Sequence, residues 1–190
     1  MRAIFEFNVE AGVHVFWLAG RTGESILLSD GENRRIAEIV SDQNRGRVKN
    51  IMHVSAPTTE RAVALARHAA SVGVEAICCV PPFFYRRTDE EIVQHYRAVG
   101  DAAGLPFFVY NLPSATSMEI TPALIEKIQN AVRWMVGLKR SATDQMHIRT
   151  FERVGLVCFT GNSRMVLPAL TIRAVGCVDG DMERACRWLT

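Results

Sequence analysis

The chain reads as an α/β fold of the (β/α) barrel type, incomplete at both ends, and three observations predict it. A short apolar run followed by a longer amphipathic stretch recurs along the sequence. The apolar runs follow one another at about 20–35 residues, the length a crossover helix needs to join two parallel strands. The amphipathic stretches open on helix-start signals rather than hairpin turns, which makes the repeat strand–helix and the sheet parallel. Eight such units take about 250 residues. With 190 residues the chain reads as a single partial barrel domain, residues 1–190, without a first strand and without the helices that would follow the last one. Such a partial ring exposes two strand edges.

The elements follow in order. Residues 4–10 look helical and lead into the first apolar run, 13–19. Ser29-Asp30-Gly31-Glu32 is a capping box, a hydroxyl at the cap with a glutamate three residues on, and the helix it starts leads to the run 49–54. Between Thr58 and Val72, the residues Ala62, Val63, Ala66, Ala69 and Ala70 form a small-residue apolar face able to lie close against a sheet. The run 76–80 is followed by a second capping box, Thr88-Asp89-Glu90-Glu91, and then by the run 106–110. Thr121-Pro122 places a cap before a proline at the first helical position, ahead of the run 132–138. The run 156–159 comes next, and Met165, Leu167, Leu170 and Ile172 fall at the spacing of a helix core. A weaker run, 175–178, and a helix-like stretch, 182–189, complete the pattern.

Composition removes several classes of function. The chain is 48% hydrophobic and 22% charged, an ordinary globular balance rather than that of a disordered segment. Lys and Arg total 22 against 20 Asp and Glu, and a net charge of +2 supplies no field for nucleic acid. No run reaches the roughly 18 apolar residues of a membrane span, and Glu6 interrupts the N-terminal apolar stretch too early for a secretory signal. The five cysteines include the pair Cys78-Cys79 and no C-x-x-C spacing, so they read as buried reduced thiols of a cytoplasmic protein. His14 and His53 sit in strand-like runs with no second ligand at metal spacing, and His68 and His95 lie among charged neighbours where a solvated position is expected.

In a parallel barrel, reactive groups gather where strands run into the following loops. Strand parity puts Val132, Trp134, Val136 and Leu138 on the helix side, and Met135, Gly137 and Lys139 toward the barrel axis, with Gly137 leaving room below the ammonium. A lysine at the rim of a tight interior is partly desolvated, which favours its neutral, nucleophilic form. By the same count Tyr110 shares the inward face of Phe108 and rises from the neighbouring strand, where a phenol can shuttle protons. From spacing alone Lys139 is equally the first solvated residue after an apolar strand, and Gly20-x-x-Gly23 equally a plain turn. Arg86-Arg87 at the mouth either steer an anionic substrate or line a solvated loop.

The order Gly20-Arg21-Thr22-Gly23-Glu24, Pro81-Pro82-Phe83-Phe84, Tyr110-Asn111-Leu112-Pro113 and Gly137-Leu138-Lys139 closely resembles the dihydrodipicolinate synthase / N-acetylneuraminate lyase family. The resemblance implies a TIM barrel and class I aldolase-type chemistry, in which a lysine forms an imine with pyruvate or another 2-oxo acid. It makes Lys139 the Schiff-base lysine and Tyr110 the proton-shuttling phenol. It also gives the carboxylate of the small 2-oxo acid to the backbone N–H groups of Arg21 and Thr22 and to the Thr22 hydroxyl. No metal or organic cofactor is implied, and a homo-oligomer is. The departures are specific: Arg21 replaces the family's first loop threonine, Phe84 a tyrosine offered to the adjacent subunit, Ala115 a carboxylate-binding arginine, and Thr116-Ser117 the usual Thr-Gly. They point away from dihydrodipicolinate synthase itself and toward a lyase, aldolase or dehydratase for a different 2-oxo acid. The alternative is a catalytically impaired paralogue that binds a 2-oxo acid or associates with an intact barrel subunit.

Overall fold

The computed structural model describes residues 1–180. Helix α1 (Arg2–Glu10) precedes strand β1 (Val15–Leu18), and α2 (Asp30–Asn44) returns the chain to β2 (Lys49–His53). The alternation continues through α3 (Thr59–Ser71), β3 (Ala76–Cys79), α4 (Asp89–Ala103) and β4 (Phe107–Asn111). Two helices, α5 (Pro113–Thr116) and α6 (Pro122–Ala131), separate β4 from β5 (Met135–Arg140). Then come α7 (His147–Arg153), β6 (Val157–Thr160), α8 (Val166–Thr171) and β7 (Gly176–Cys177). The stretch 182–189, expected to be helical, lies outside the described residues, as does Cys186.

The helix starts form as the residue types dictate. Ser29 and Thr88 each accept from the amide three residues on while Glu32 and Glu91 return to the cap amide, so both capping boxes are complete. Thr58 and Thr121 cap α3 and α6 through their side-chain oxygens.

The seven strands lie side by side in chain order, every pair parallel. Outward-facing Met52, Ile77, Cys79, Phe107, Val109 and Leu138 pack under Ala37, Ala62, Leu65, Ala66, Ile92, Tyr96, Leu124 and Ile128 from the helices. The inward faces meet one another: Ile51, Ala76, Cys78 and Phe108 form a second cluster with Val15, Trp17 and Phe159. Trp17 on β1 stands 6.4 Å, centroid to centroid, from Phe159 on β6, so the sheet curls into a ring. β1 and β7 share no ladder among the described residues, and a cleft of about 730 Å³ opens between them.

β5 departs from simple alternation. Phe107 pairs with Met135 and Phe108 with Gly137, so Val136 is an extra residue, a bulge, and is 36% exposed. The bulge reverses parity before it, so Met135 packs on the helix side instead of facing the axis. Gly137 and Lys139 keep the inward orientation expected of them. Gly137 does not leave room below the ammonium: a Cβ there would lie 2.1 Å from the Val157 carbonyl oxygen and 2.8 Å from the Phe108 ring, so the space is already filled.

Two further expectations are corrected. His95 is buried, not solvated; it lies between Ile92 and Val99 on the apolar face of α4, with Nδ1 2.9 Å from Thr59 Oγ1. Leu167 is 73% exposed and Leu170 also surfaces, because α8 is only one and a half turns long and covers little beyond Ala169.

Candidate active site

Register brings the two central residues together. Tyr110 on β4 pairs directly with Lys139 on β5, both side chains point into the ring, and the lysine Nζ lies 4.5 Å from the centre of the Tyr110 ring and 5.2 Å from that of Trp17. Lys139 is 6% exposed and Tyr110 2%. Burial disfavours the ammonium and pulls the lysine from its ordinary 10.5 down to about 8, although the thiol groups of Cys78 and Cys177 and the carboxylate of Asp179 pull the other way. Burial pushes the Tyr110 phenol up, so it stays protonated at neutral pH, while Ser141 Oγ, 3.4 Å from the phenol oxygen, works against that rise.

The loop after β1 reaches the same place. Ala19 and Glu24 adopt positive φ of 53° and 51°, and the bend between them carries Arg21 and Thr22 to the wall of the cleft that Lys139 lines. The backbone amides of Arg21 and Thr22 have no acceptor among the described residues, the disposition of a turn that takes an anion. The four residues proposed from sequence therefore converge: Lys139 and Tyr110 as neighbours, Arg21 and Thr22 on the loop beside them.

Several neighbours were missed. Gly161, just past β6, matters because a Cβ there would fall 1.8 Å from Ser141 Oγ and 2.6 Å from Lys139 Cε. A side chain at 161 would have to displace Ser141, Lys139 or both. Trp17 was hidden within an apolar run, although its even spacing from Val15 marks the inward face. Asn111 does not face the cavity; its side chain bonds the amide and carbonyl of Ile120, at 3.3 and 3.2 Å, and so pins the loop behind α5. Arg140 points outward, buried, and is neutralised by Glu119 and bonded to the Asp144 carbonyl. His53 is held between Ser25 Oγ (3.1 Å, Nδ1) and Ser55 Oγ (2.7 Å, Nε2) with its ring edge-on to Tyr110. Burial first, and the Lys139 charge second, lower it from 6.5 to about 4, so it is neutral. Arg86 and Arg87 are exposed at the mouth. Among the described residues no three His, Cys, Asp or Glu groups gather as a metal site, and no helix is long and apolar enough to cross a membrane.

Fold and site together define a class: an incomplete parallel (β/α) barrel whose C-terminal mouth carries a desolvated primary amine beside a phenol. The family model of the dihydrodipicolinate synthetase family matches residues 1–183, and the chain belongs to that family. It is similar to the 4-hydroxy-tetrahydrodipicolinate synthase of Phenylobacterium zucineum, 32% identical over 180 residues, which cover 93% of this chain and 60% of that protein. It is equally similar to the N-acetylneuraminate lyase of Rhizobium meliloti, 30% identical over 178 residues, with 93% and 59% covered. Among solved structures, dihydrodipicolinate synthase from Aquifex aeolicus superposes with a TM-score of 0.92 at 26% identity, over 99% of this chain and 66% of that one. A catalytic lysine mutant of Ruminococcus gnavus sialic acid aldolase gives 0.92 at 25%, over 96% and 61%. The chain thus spans about 60% of the length of the curated relatives it matches.

Proposed function

We propose that the protein is a class I aldolase-type lyase in which Lys139 forms a Schiff base with pyruvate or a related 2-oxo acid. The observation that carries the reading is the Lys139 amine itself, buried over the Tyr110 ring and held by desolvation near pKa 8 rather than 10.5. A sizeable fraction of it is neutral at physiological pH, as attack on a carbonyl carbon requires. Membership of a family whose relatives are named as a synthase and a lyase supports the class, and the neighbouring sialic acid aldolase is described as having a catalytic lysine.

The neutral amine adds to the C2 carbonyl of the 2-oxo acid, and Tyr110 gives its proton to the departing hydroxyl, which leaves as water. A protonated imine and the Tyr110 phenolate thus form together, and the phenolate can take the next proton. The positive imine nitrogen draws electrons from C3, so a proton leaves C3 and the resulting enamine can attack, or be released from, an aldehyde carbon. Tyr110 carries the proton in both directions, with its hydroxyl steered by Ser141 at 3.4 Å. The amides of Arg21 and Thr22, with the Thr22 hydroxyl, hold the carboxylate and set the carbonyl over Lys139.

Incubation with pyruvate followed by borohydride tests the reading. A reduced adduct located on Lys139 by peptide mass spectrometry is expected, absent in Lys139→Ala, with a trapping rate that climbs with pH through about 8 as the ammonium of Lys139 loses its proton. Failure to label Lys139 with pyruvate and with longer 2-oxo acids alike overturns it.

A further inference from the structure

Beside the cleft of about 730 Å³ that Lys139 lines, two further cavities flank the amine–phenol pair at the mouth, and they differ in chemistry. One, of about 810 Å³, is charged and is lined by Arg140, Asp144, Arg164 and Asp179, but by neither Tyr110 nor Lys139. The other, of about 330 Å³, has the Tyr110 ring, though not Lys139, in its wall; Ile26, Leu27, Val80, Phe83, Leu112 and Ala115 are its apolar lining, and it adjoins the Lys139 cleft at Gly20 and Arg21. The phenol that would carry the proton therefore opens onto the apolar cavity.

The polar groups in that wall are already committed. Ser25 Oγ is bonded to His53 Nδ1, and the other ring nitrogen of His53 to Ser55. Thr116 Oγ1 has its one proton within reach of the carbonyls of Leu112 and Met118, at 3.0 and 3.2 Å, and accepts from the Met118 amide. What remains is Arg21 and Glu24, both exposed at the rim. Beyond that rim, a chain of hydroxyls buried among the apolar side chains would give up its water without finding partners, which costs roughly 1–3 kcal/mol for each buried group left unsatisfied. An apolar body gains by the same burial.

We propose that this cavity receives the carbonyl partner of the reaction and that the partner is an aldehyde with an apolar, aromatic-sized body, not a polyhydroxylated one. The inference rests on the Schiff-base reading above. In the addition direction, C3 of the Lys139-bound enamine forms a bond to the aldehyde carbon, and the carbonyl electron pair moves to oxygen. That oxygen takes from Tyr110 the proton that Tyr110 had received from C3. Water then hydrolyses the imine, frees the amine and releases a 4-hydroxy-2-oxo acid; cleavage is the same sequence reversed.

Calorimetry on the full chain with benzyl alcohol, a neutral and unreactive aromatic probe, measures the cavity without requiring turnover. Saturable binding is expected for benzyl alcohol and none for glycerol. Ala115→Trp, at an exposed position, should fill the cavity and abolish binding; Leu27→Asp, on a side chain 80% exposed, should weaken it at least fivefold while leaving the thermal melt in place. In aldol addition with pyruvate, benzaldehyde should exceed glyceraldehyde in kcat/KM by about tenfold or more. Absent benzyl alcohol binding, binding that survives both substitutions, or equal use of the two aldehydes overturns the proposal, even where pyruvate labels Lys139. Specific benzyl alcohol binding with no pyruvate adduct overturns the role as carbonyl partner together with the Schiff-base reading, and leaves the cavity as an aromatic site.

Discussion

The middle of the sheet and its margins are built differently. β3 and β4 are buried at every residue, clamped between the helix-side core and the inward cluster. β1 is only partly covered along most of its length, and β7 is two half-buried residues. The candidate chemistry divides along the same line. Tyr110 and the neighbouring β5 residue Lys139 belong to the middle, where strand register sets their separation. Arg21 and Thr22 hang from the end of β1, where a loop sets it. A pair that must be desolvated and aligned is found where backbone and side chains are both enclosed; a group that only needs to present N–H donors to an anion sits where the enclosure is looser. Substitutions at Tyr110, Phe107, Val175 and Thr22, and one pH series, test how far that division holds.

The largest effect belongs to the middle. Tyr110→Phe keeps the ring that lies under the amine and removes only the hydroxyl. Turnover of whichever 2-oxo acid substrate is identified should fall by about 10²–10⁴, while borohydride still labels Lys139. Near-normal kcat in this variant would mean that the proton travels by another route.

Packing should show the same contrast in stability. Phe107 is completely buried on β4 between strand and helices and stacks edge-on with Tyr96 at 5.4 Å. Phe107→Ala should cost about 3–5 kcal/mol, read as a shift of the urea midpoint. Val175, at the entry to β7, is largely exposed, and Val175→Ala should stay within about 0.5 kcal/mol. Comparable losses at the two positions would erase the distinction between middle and margin.

Acid should attack the middle as well. Burial holds His53 and His95 at about 4, against 6.5 in an unfolded chain. Below pH 6.5 the unfolded state takes up protons that the folded state refuses, so stability falls as pH drops from 6.5 toward 4 and levels off below, by roughly 3 kcal/mol for each histidine. The carboxylate of Glu6, which Arg47 and Gln43 hold near 2, starts to count only below its ordinary 4.5. The decline between pH 6.5 and 4.5 therefore reports the histidines. Urea midpoints across that window should flatten in His95→Gln, and an unchanged slope would contradict the assignment.

These contrasts also explain what could be read from residues alone. The runs 76–80 and 106–110 were legible because strands buried on both faces are continuously apolar, and the caps at Ser29, Thr58, Thr88 and Thr121 because each is a local bond. The pairing of Tyr110 with Lys139 followed from their 29-residue separation, one strand–helix unit, and from parity within each strand. The bulge at Val136 left no trace, since Trp134, Met135 and Val136 are apolar whichever way they face. His95 was legible in principle, standing three residues after Ile92 and four before Val99 on one helical face, but its charged neighbours outweighed that spacing. Gly161 carries no local signal, because what crowds a side chain there is Ser141 and Lys139, which arrive from the end of another strand.

The smallest effect is expected at the margin, and it separates a loop that binds from one that merely closes a turn. The Thr22 side chain packs against Gly180, where a Cβ would lie 2.9 Å from Thr22 Cγ2, so Thr22→Ser keeps the hydroxyl while easing that contact and Thr22→Ala removes the hydroxyl altogether. If the hydroxyl donates to the 2-oxo acid carboxylate, Thr22→Ala should raise KM for pyruvate in the trapping reaction about tenfold to a hundredfold, the cost of one hydrogen bond to a charged group. Thr22→Ser should restore it, with the limiting rate of adduct formation the same in all three proteins, because the amine and phenol are set by β4 and β5 and not by this loop. A fall in the limiting rate would instead tie the loop to the placement of Lys139, and the middle of the sheet would no longer be independent of its edge.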